Sequence, residues 1–198
     1  MAFPSYKNLN LVAVSKDIQA YWENSLTFEA SVSTREGRPP YIFFEGPPSA
    51  NGLPGIHHMM GRAIKDIFCR YKTQKGFQVK RKAGWDTHGL PVELGVEKEL
   101  GISKEDIGKS ISVDQYNSAC REAVMRYTDV WSDLTKKMGY WVDMDEAYIT
   151  YTSKYMESVW WLLKQLYDKN LIYKGYTIQP YSPKAGTGLS SHELNQPG

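Results

Sequence analysis

Cysteine is scarce in this chain. Its 198 residues include two, Cys69 and Cys120, and no Cys-x-x-Cys pair. That excludes the disulfide framework on which small secreted domains depend. Long apolar runs are missing too: no stretch approaches the roughly 18 residues needed to span a bilayer. Residues 1–11 contain no basic segment leading into an apolar one, so no secretory leader is expected. A strong net charge is also lacking. Lys and Arg number 24 against 22 Asp and Glu, giving +2, which sets up no long-range field demanding an acidic partner. There is no internal repeat and no low-complexity segment. These absences predict a soluble cytoplasmic protein with two buried, free thiols.

What is present suits a packed core. Hydrophobic residues make up 41% and aromatics 13%, with six Trp and fourteen Tyr, enough for one domain, or one domain and an appendage. Residues 1–40 read as an N-terminal arm with a helix over 14–24 and a turn-rich connector over 33–40. "YIFFE", residues 41–45, reads as a strand buried on both faces of a parallel sheet. Ile56, Met59, Met60, Ala63, Ile64, Ile67, Phe68 and Tyr71 then recur at helical spacing, a stripe expected to face the core. A second strand is expected near 77–82, making strand, helix and strand a crossover unit of an α/β fold.

Further on, a short helix is expected over 90–101, closed by Gly101. The longest helix is expected over 112–139, opened by a Ser112/Gln115 capping box. Its buried stripe would be Tyr116, Cys120, Ala123, Tyr127, Val130, Leu134 and Met138. A helix over 153–169 would bury Met156, Val159, Trp160, Leu163 and Tyr167. Residues 171–182 alternate as a strand or strand pair, and the tail is loop-like.

The stretch "EGPPSANGLPGIHHMMGR", residues 45–62, leaves the first strand and enters the first long helix. Ligands of open α/β sheets bind at such carboxyl ends. Its glycines fit neither G-x-G-x-x-G nor G-x-x-x-x-G-K-[ST]. Pro47 and Pro48 form a stiff wall without amide donors. Asn51-Gly52 and Pro54-Gly55 are turn pairs, and Gly55 admits a flat ligand close to the backbone. His57 and His58 arrive in the first helical turn, where unpaired amides favour an anion. The plainer alternative is that one histidine caps the helix and the other is exposed. A second segment, "RKAGWDTHGLPVE", follows the second strand and carries Asp86 and His88. If the strands are parallel neighbours, this loop adjoins the first. Asp86 then suits a ligand ammonium, or N-caps the following helix.

"GPPSANG", the His-containing helix start, "KDIFCRYKTQKG" and "GWDTHGLPVE" closely resemble the catalytic domain of the isoleucyl-tRNA synthetase family, class I aminoacyl-tRNA synthetases. "MGYWVDMDEAYITY", "YMESVWWLLKQLYDKNLIYKG" and "GLSSHE" extend the likeness over residues 5–198. The valine and leucine families differ at "GWDTHGLPVE". The resemblance implies the first half of a Rossmann-like nucleotide-binding fold over residues 41–198, ending near the editing-domain insertion point. It implies ATP-dependent activation of isoleucine, with Mg2+, and transfer to tRNA(Ile). By matching position, Gly46 and Pro47 would line the isoleucine pocket, and Asp86 would bind the α-ammonium beside His88. Asn51, Gly55, His57 and His58 would serve the ATP site, with the two histidines as catalytic candidates. The chain would be an N-terminal fragment lacking the rest of the synthetase, inactive alone and without membrane contact.

The sequence departs from the family pattern in two places. The His-x-Gly-His signature reads Gly55-Ile56-His57-His58, so His58 keeps the register and His57 stands in place of a glycine. Where many relatives carry a Cys-x-x-Cys zinc pair, residues 182–185 read "SPKA", so no structural zinc is expected there. Two other classes fit parts of the sequence. A zinc-dependent hydrolase would use His57, His58, Asp86 and His88, although adjacent helical residues diverge by about 100°. A non-catalytic RNA-binding module would use the basic run over 72–82, which otherwise reads as a solvated turn and strand edge.

Overall fold

In a computed structural model of the chain, residues 8–183 and 186–194 are described. Two helices, α1 (Leu11–Asn24) and α2 (Thr27–Ser33), lead into β1 (Pro40–Phe44), α3 (Ile56–Gln74) and β2 (Gln78–Trp85). Then come α4 (Leu90–Leu100), a short 3-10 turn (Lys104–Asp106), α5 (Val113–Val124), α6 (Thr128–Lys137) and β3 (Asp143–Ile149). The strands form one sheet in the order β1-β2-β3, parallel throughout. Pro40 pairs with Gln78 and Phe44 with Lys82, so the carboxyl ends of β1 and β2 are adjacent. The expected α/β crossover is therefore present.

The chain divides into two compact units, one up to Met156 and one from Glu157. Helix α7 (Ser153–Asp168) spans that division, followed by β4 (Tyr181–Ser182), β5 (Thr187–Gly188) and α8 (Ser191–Leu194). The expected strand over 171–182 is reduced to the two-residue β4, which pairs antiparallel with β5. Helix α7 has no buried residue, and Trp160, Leu163 and Tyr167 of its expected core stripe are exposed. Lys184 and Ala185, in the "SPKA" segment, lie outside the described residues.

Local chemistry explains the helix ends. Asn10 Oδ1 caps α1 by accepting from the Ala13 amide at 3.1 Å. The Ser112/Gln115 capping box forms as expected, with both reciprocal bonds near 3.1 Å. Gly101 closes α4 in the left-handed region at φ +65°. The expected long helix over 112–139 is instead two, broken between Val124 and Thr128. At the break the Tyr127 amide donates to Ala50 O at 3.0 Å rather than continuing the helix ladder. That break rotates α6, so Trp131 and Thr135 are buried while Val130 is 42% exposed.

Two apolar surfaces also differ from expectation. Strand β1 is covered on one face only, with Ile42 65% and Phe44 61% exposed. The apolar stripe of α3, including Met60, Ile64, Ile67 and Phe68, points outward. The face that α3 turns inward is polar: its buried residues are Arg62, Cys69 and Thr73. The reason is visible in the contacts. Buried Arg81 of β2 donates to Thr73 Oγ1 at 3.1 Å, Asp66 Oδ1 at 3.2 Å and Trp141 O at 3.2 Å. Hydrogen bonds at the ion pair, rather than apolar area, seat α3 on the sheet.

The apolar core is small and lies beneath the carboxyl ends of the strands. Ala50, Trp85 and Trp131 form one cluster, and Ala83, Tyr140 and Val142 another. Trp131→Ala is expected to cost about 3–5 kcal/mol in urea denaturation, the range for a buried aromatic. Val130→Ala, one residue earlier, should change stability by less than about 0.5 kcal/mol. Equal effects would contradict the rotation of α6.

Candidate functional site

The loop between β1 and α3 lacks amides at Pro47 and Pro48 and is held by its carbonyls. Asp86 N donates to Pro48 O at 3.0 Å, and Tyr127 N donates to Ala50 O at 3.0 Å. Trp131 Nε1 donates to Gly52 O at 2.9 Å. Three bonds from two segments, the loop after β2 and the start of α6, thus pin one Gly/Pro-rich loop, which leaves its concave side open. A cavity of about 520 Å³ opens there, lined by Gly46, Pro47, Asn51, His57 and His58. The predicted residues of the first loop therefore converge. Gly55 N-caps α3 beside them.

His58 is fixed in one orientation. The Gly55 amide donates to its Nδ1 at 2.9 Å. A neutral ring accepting at Nδ1 carries its proton on Nε2. The ring stands edge-on to Trp131, with centroids 4.8 Å apart. Burial, then His57, Arg62 and Lys65, holds its pKa below the usual 6.5. A neutral N–H donor at a helix N-terminus suits an anionic ligand. His57 is exposed and packs on His58 at 3.8 Å between centroids. It folds back over Gly55: a Cβ there would lie 2.8 Å from the His57 ring. His57 thus covers the N-cap of α3 while still lining the cavity.

The second loop adjoins the first, as the Asp86–Pro48 bond shows, but Asp86 and His88 do not line the cavity. Asp86 is not the N-cap of α4; Gly89 is. The His88 amide donates weakly to Asp86 Oδ1 at 3.4 Å. His88 Nδ1 lies 3.1 Å from Thr150 Oγ1, and that hydroxyl also meets Thr87 Oγ1 at 2.7 Å. Thr150 follows the end of β3, so three strand ends contribute to this region.

Several lining residues escaped the sequence reading: Glu45, Arg62, Lys65 and Trp131. Arg62 is buried, donates to Thr135 Oγ1 at 2.7 Å and lies 4.9 Å over the Trp131 ring. Glu45 is buried and accepts from both Lys65 Nζ and the Tyr140 hydroxyl. Burial and that bond push the Tyr140 hydroxyl pKa up, keeping it a donor. A glutamate closing an otherwise apolar strand was the available signal.

Among the described residues no three His, Cys, Asp or Glu side chains are grouped to hold a metal ion. The basic run over 72–82 is divided: Arg81 is buried at Asp66, and Lys72 Nζ lies 4.8 Å over Phe77. Among the described residues no helix is long and apolar enough to cross a membrane.

Residues 17–197 match the family model for tRNA synthetases class I (I, L, M and V). The chain belongs to the class I tRNA synthetases. It is 69% identical over 196 residues to an isoleucine--tRNA ligase of Bacteroides fragilis, covering 99% of this chain and 17% of that relative. It is 67% identical over 196 residues to the Porphyromonas gingivalis isoleucine--tRNA ligase, with the same coverages. At 52% identity over 189 residues, the Thermobifida fusca isoleucine--tRNA ligase covers 95% of this chain and 18% of its own. The chain thus spans about a sixth of the length of these class I relatives. A solved ternary complex, Agrobacterium radiobacter K84 agnB2 LeuRS-tRNA-LeuAMS, shares the fold. Its TM-score is 0.59 at 20% identity, over 89% of this chain and 20% of that one. The three-stranded parallel sheet with its helices is therefore Rossmann-like, as expected.

The geometry of His58 yields a direct test. Nuclear magnetic resonance of the ring nitrogens should find the Nε2–H tautomer and a midpoint below 6.5. Because the folded ring resists protonation, its stabilising contribution is present above pH 6.5 and lost as pH falls through the folded pKa. A midpoint at or above 6.5, or an Nδ1–H tautomer, would overturn this geometry.

Proposed function

We propose that this chain is the nucleotide- and amino-acid-binding segment of an isoleucine--tRNA ligase. The whole enzyme would activate isoleucine with ATP to isoleucyl-adenylate and pass the acyl group to tRNA(Ile). The observation that carries the reading is the pairing of two unlike walls round one cavity. Pro47 and Pro48, next to Gly46, present an apolar side without amide donors. His58 presents a fixed Nε2–H at the amide end of α3. One side fits an aliphatic side chain and the other fits phosphates, the two halves of an aminoacyl-adenylate. The names of the relatives support isoleucine as the amino acid.

In this reading Asn51, Gly55, His57 and His58 serve ATP, with His58 donating to a phosphate oxygen. Asp86 receives the α-ammonium of isoleucine, and His88, held by Thr150, steadies its loop. Activation needs no covalent protein intermediate; positioning and charge stabilisation carry it. Mg2+ would arrive on the ATP phosphates. The carboxylate lining the cavity, Glu45, has both oxygens engaged and does not suit it. A small apolar pocket separates isoleucine from valine by roughly 10- to 200-fold at most, so fidelity would depend on editing elsewhere in the protein.

Residues 1–40 would serve as an arm and 41–198 as half of the catalytic fold, in a cytoplasmic enzyme. The remaining synthetase segments would cover the outward stripe of α3 and the bare face of β1, and this segment alone would not aminoacylate.

Isoleucine-dependent ATP–pyrophosphate exchange by the polypeptide carrying this segment tests the proposal. Asp86→Ala should raise KM for isoleucine by roughly 10- to 150-fold, the value of a charge-assisted bond, and leave KM for ATP nearly unchanged. Faster exchange with valine or leucine than with isoleucine would refute the amino-acid assignment.

A further inference from the structure

The cavity has a charged wall that neither the Gly/Pro loop nor the histidines supply. Glu45 is 3% exposed at the carboxyl end of β1. One carboxylate oxygen accepts from Lys65 Nζ and the other from the Tyr140 hydroxyl. Its main chain is fixed as well: Glu45 N donates to Lys82 O at 2.8 Å, and the Tyr148 hydroxyl donates to Glu45 O at 2.5 Å. A carboxylate so held has little freedom, and whatever it binds is positioned with it.

Lys65 lies seven residues after His58, about two helical turns, and so shares its face of α3. Its side chain is 37% exposed. One of the three ammonium donors goes to Glu45, and the others remain for the cavity. A Cβ on Gly46 would lie 3.5 Å from Lys65 Nζ, so the ammonium runs alongside the bare backbone where the loop begins. The third charge in this wall, Arg62, is turned toward Thr135 and the Trp131 ring. Two cations against one carboxylate leave an excess of positive charge, and Lys65 is the cation that reaches the opening.

We propose that Lys65 is a phosphate contact for bound ATP and that Glu45 is its positioning residue. The proposal rests on the reading of this cavity as an ATP site and adds a cation to it. Glu45 does not touch ligand. It holds the ammonium beside Gly46 and limits the rotamer freedom lost on binding.

The experiment uses the complete synthetase polypeptide and measures ATP–pyrophosphate exchange as a function of ATP and of isoleucine. Lys65→Met should raise KM for ATP about tenfold, the scale of one charge-assisted hydrogen bond. KM for isoleucine should move less than about twofold, and Lys65→Arg should recover most of the loss. Glu45→Gln keeps an acceptor for Tyr140 but removes the charge, and should raise KM for ATP by a smaller factor. The double variant Glu45→Gln/Lys65→Met should match Lys65→Met, because Glu45 acts through Lys65. The double variant also leaves no unpaired carboxylate at position 45, so it reports on the site if Lys65→Met alone folds poorly.

An unchanged KM for ATP in Lys65→Met and in the double variant would overturn the phosphate contact. So would a rise confined to isoleucine, which would assign Lys65 to a carboxylate. A double variant whose loss equals the product of the two single losses would overturn the positioning role. If the unaltered enzyme shows no isoleucine-dependent exchange, the ATP reading itself fails. Normal exchange with an indifferent Lys65 refutes this inference alone.

Discussion

A single buried carboxylate holds the site together. Glu45 ends β1, yet its side chain ties α3 through Lys65 and the segment before β3 through Tyr140. Its carbonyl ties β3 through Tyr148. A carboxylate this buried costs several kcal/mol unless it is paired and fully hydrogen-bonded. Here the two carboxylate partners come from different elements, so the charge is tolerated only when both are in place, and the carbonyl bond ties in a third. The first loop starts at the next residue. Its entry point is therefore fixed by an electrostatic requirement, and its later course by carbonyl bonds from Asp86, Tyr127 and Trp131. The site is rigid at its base although its loop has few amides to bond.

The parts legible in the sequence were those governed by local rules. The turn at Asn51-Gly52, the Ser112/Gln115 box, the Gly101 stop and the helix from Ile56 depend on neighbours within a few residues, and all formed. So did the adjacency of the two loops, which follows from parallel strands. Pro54-Gly55, by contrast, makes no turn, and Gly55 is the extended N-cap of α3. What escaped depends on distant partners. The break between α5 and α6 exists because Tyr127 serves Ala50, far away in sequence. No helical periodicity encodes that. β3 was not assigned because "DMDEAYI" is neither apolar nor regularly alternating, and its pairing with β2 shifts register between Lys82 and Gly84. Lys65 and Arg62 fall outside the apolar stripe of their helix, and only the burial of Glu45 and Arg81 turns that side inward.

The two histidines illustrate the same division. Their sequence position gave a helix start and a register in which His58 is kept and His57 replaces a glycine, but it could not orient either ring. The backbone does so: His58 accepts from Gly55, and that bond dictates where its proton lies. His57 has the space above Gly55.

The inverted amphipathicity of α3 bears on the whole. Apolar periodicity identifies a face that avoids water; it does not say which neighbour removes the water. In this chain the sheet takes the polar face, because Arg81 and Glu45 need Asp66, Thr73 and Lys65 as partners. The apolar face is left bare, as is the outer side of β1. Exposed apolar area of this extent is costly in water, and class I relatives are about six times longer than this chain. A helix with ionic contacts on one side and an apolar stripe on the other can sit between two layers. The buried charges on the first side place the cavity's cations and His58, while the second side remains available for further packing.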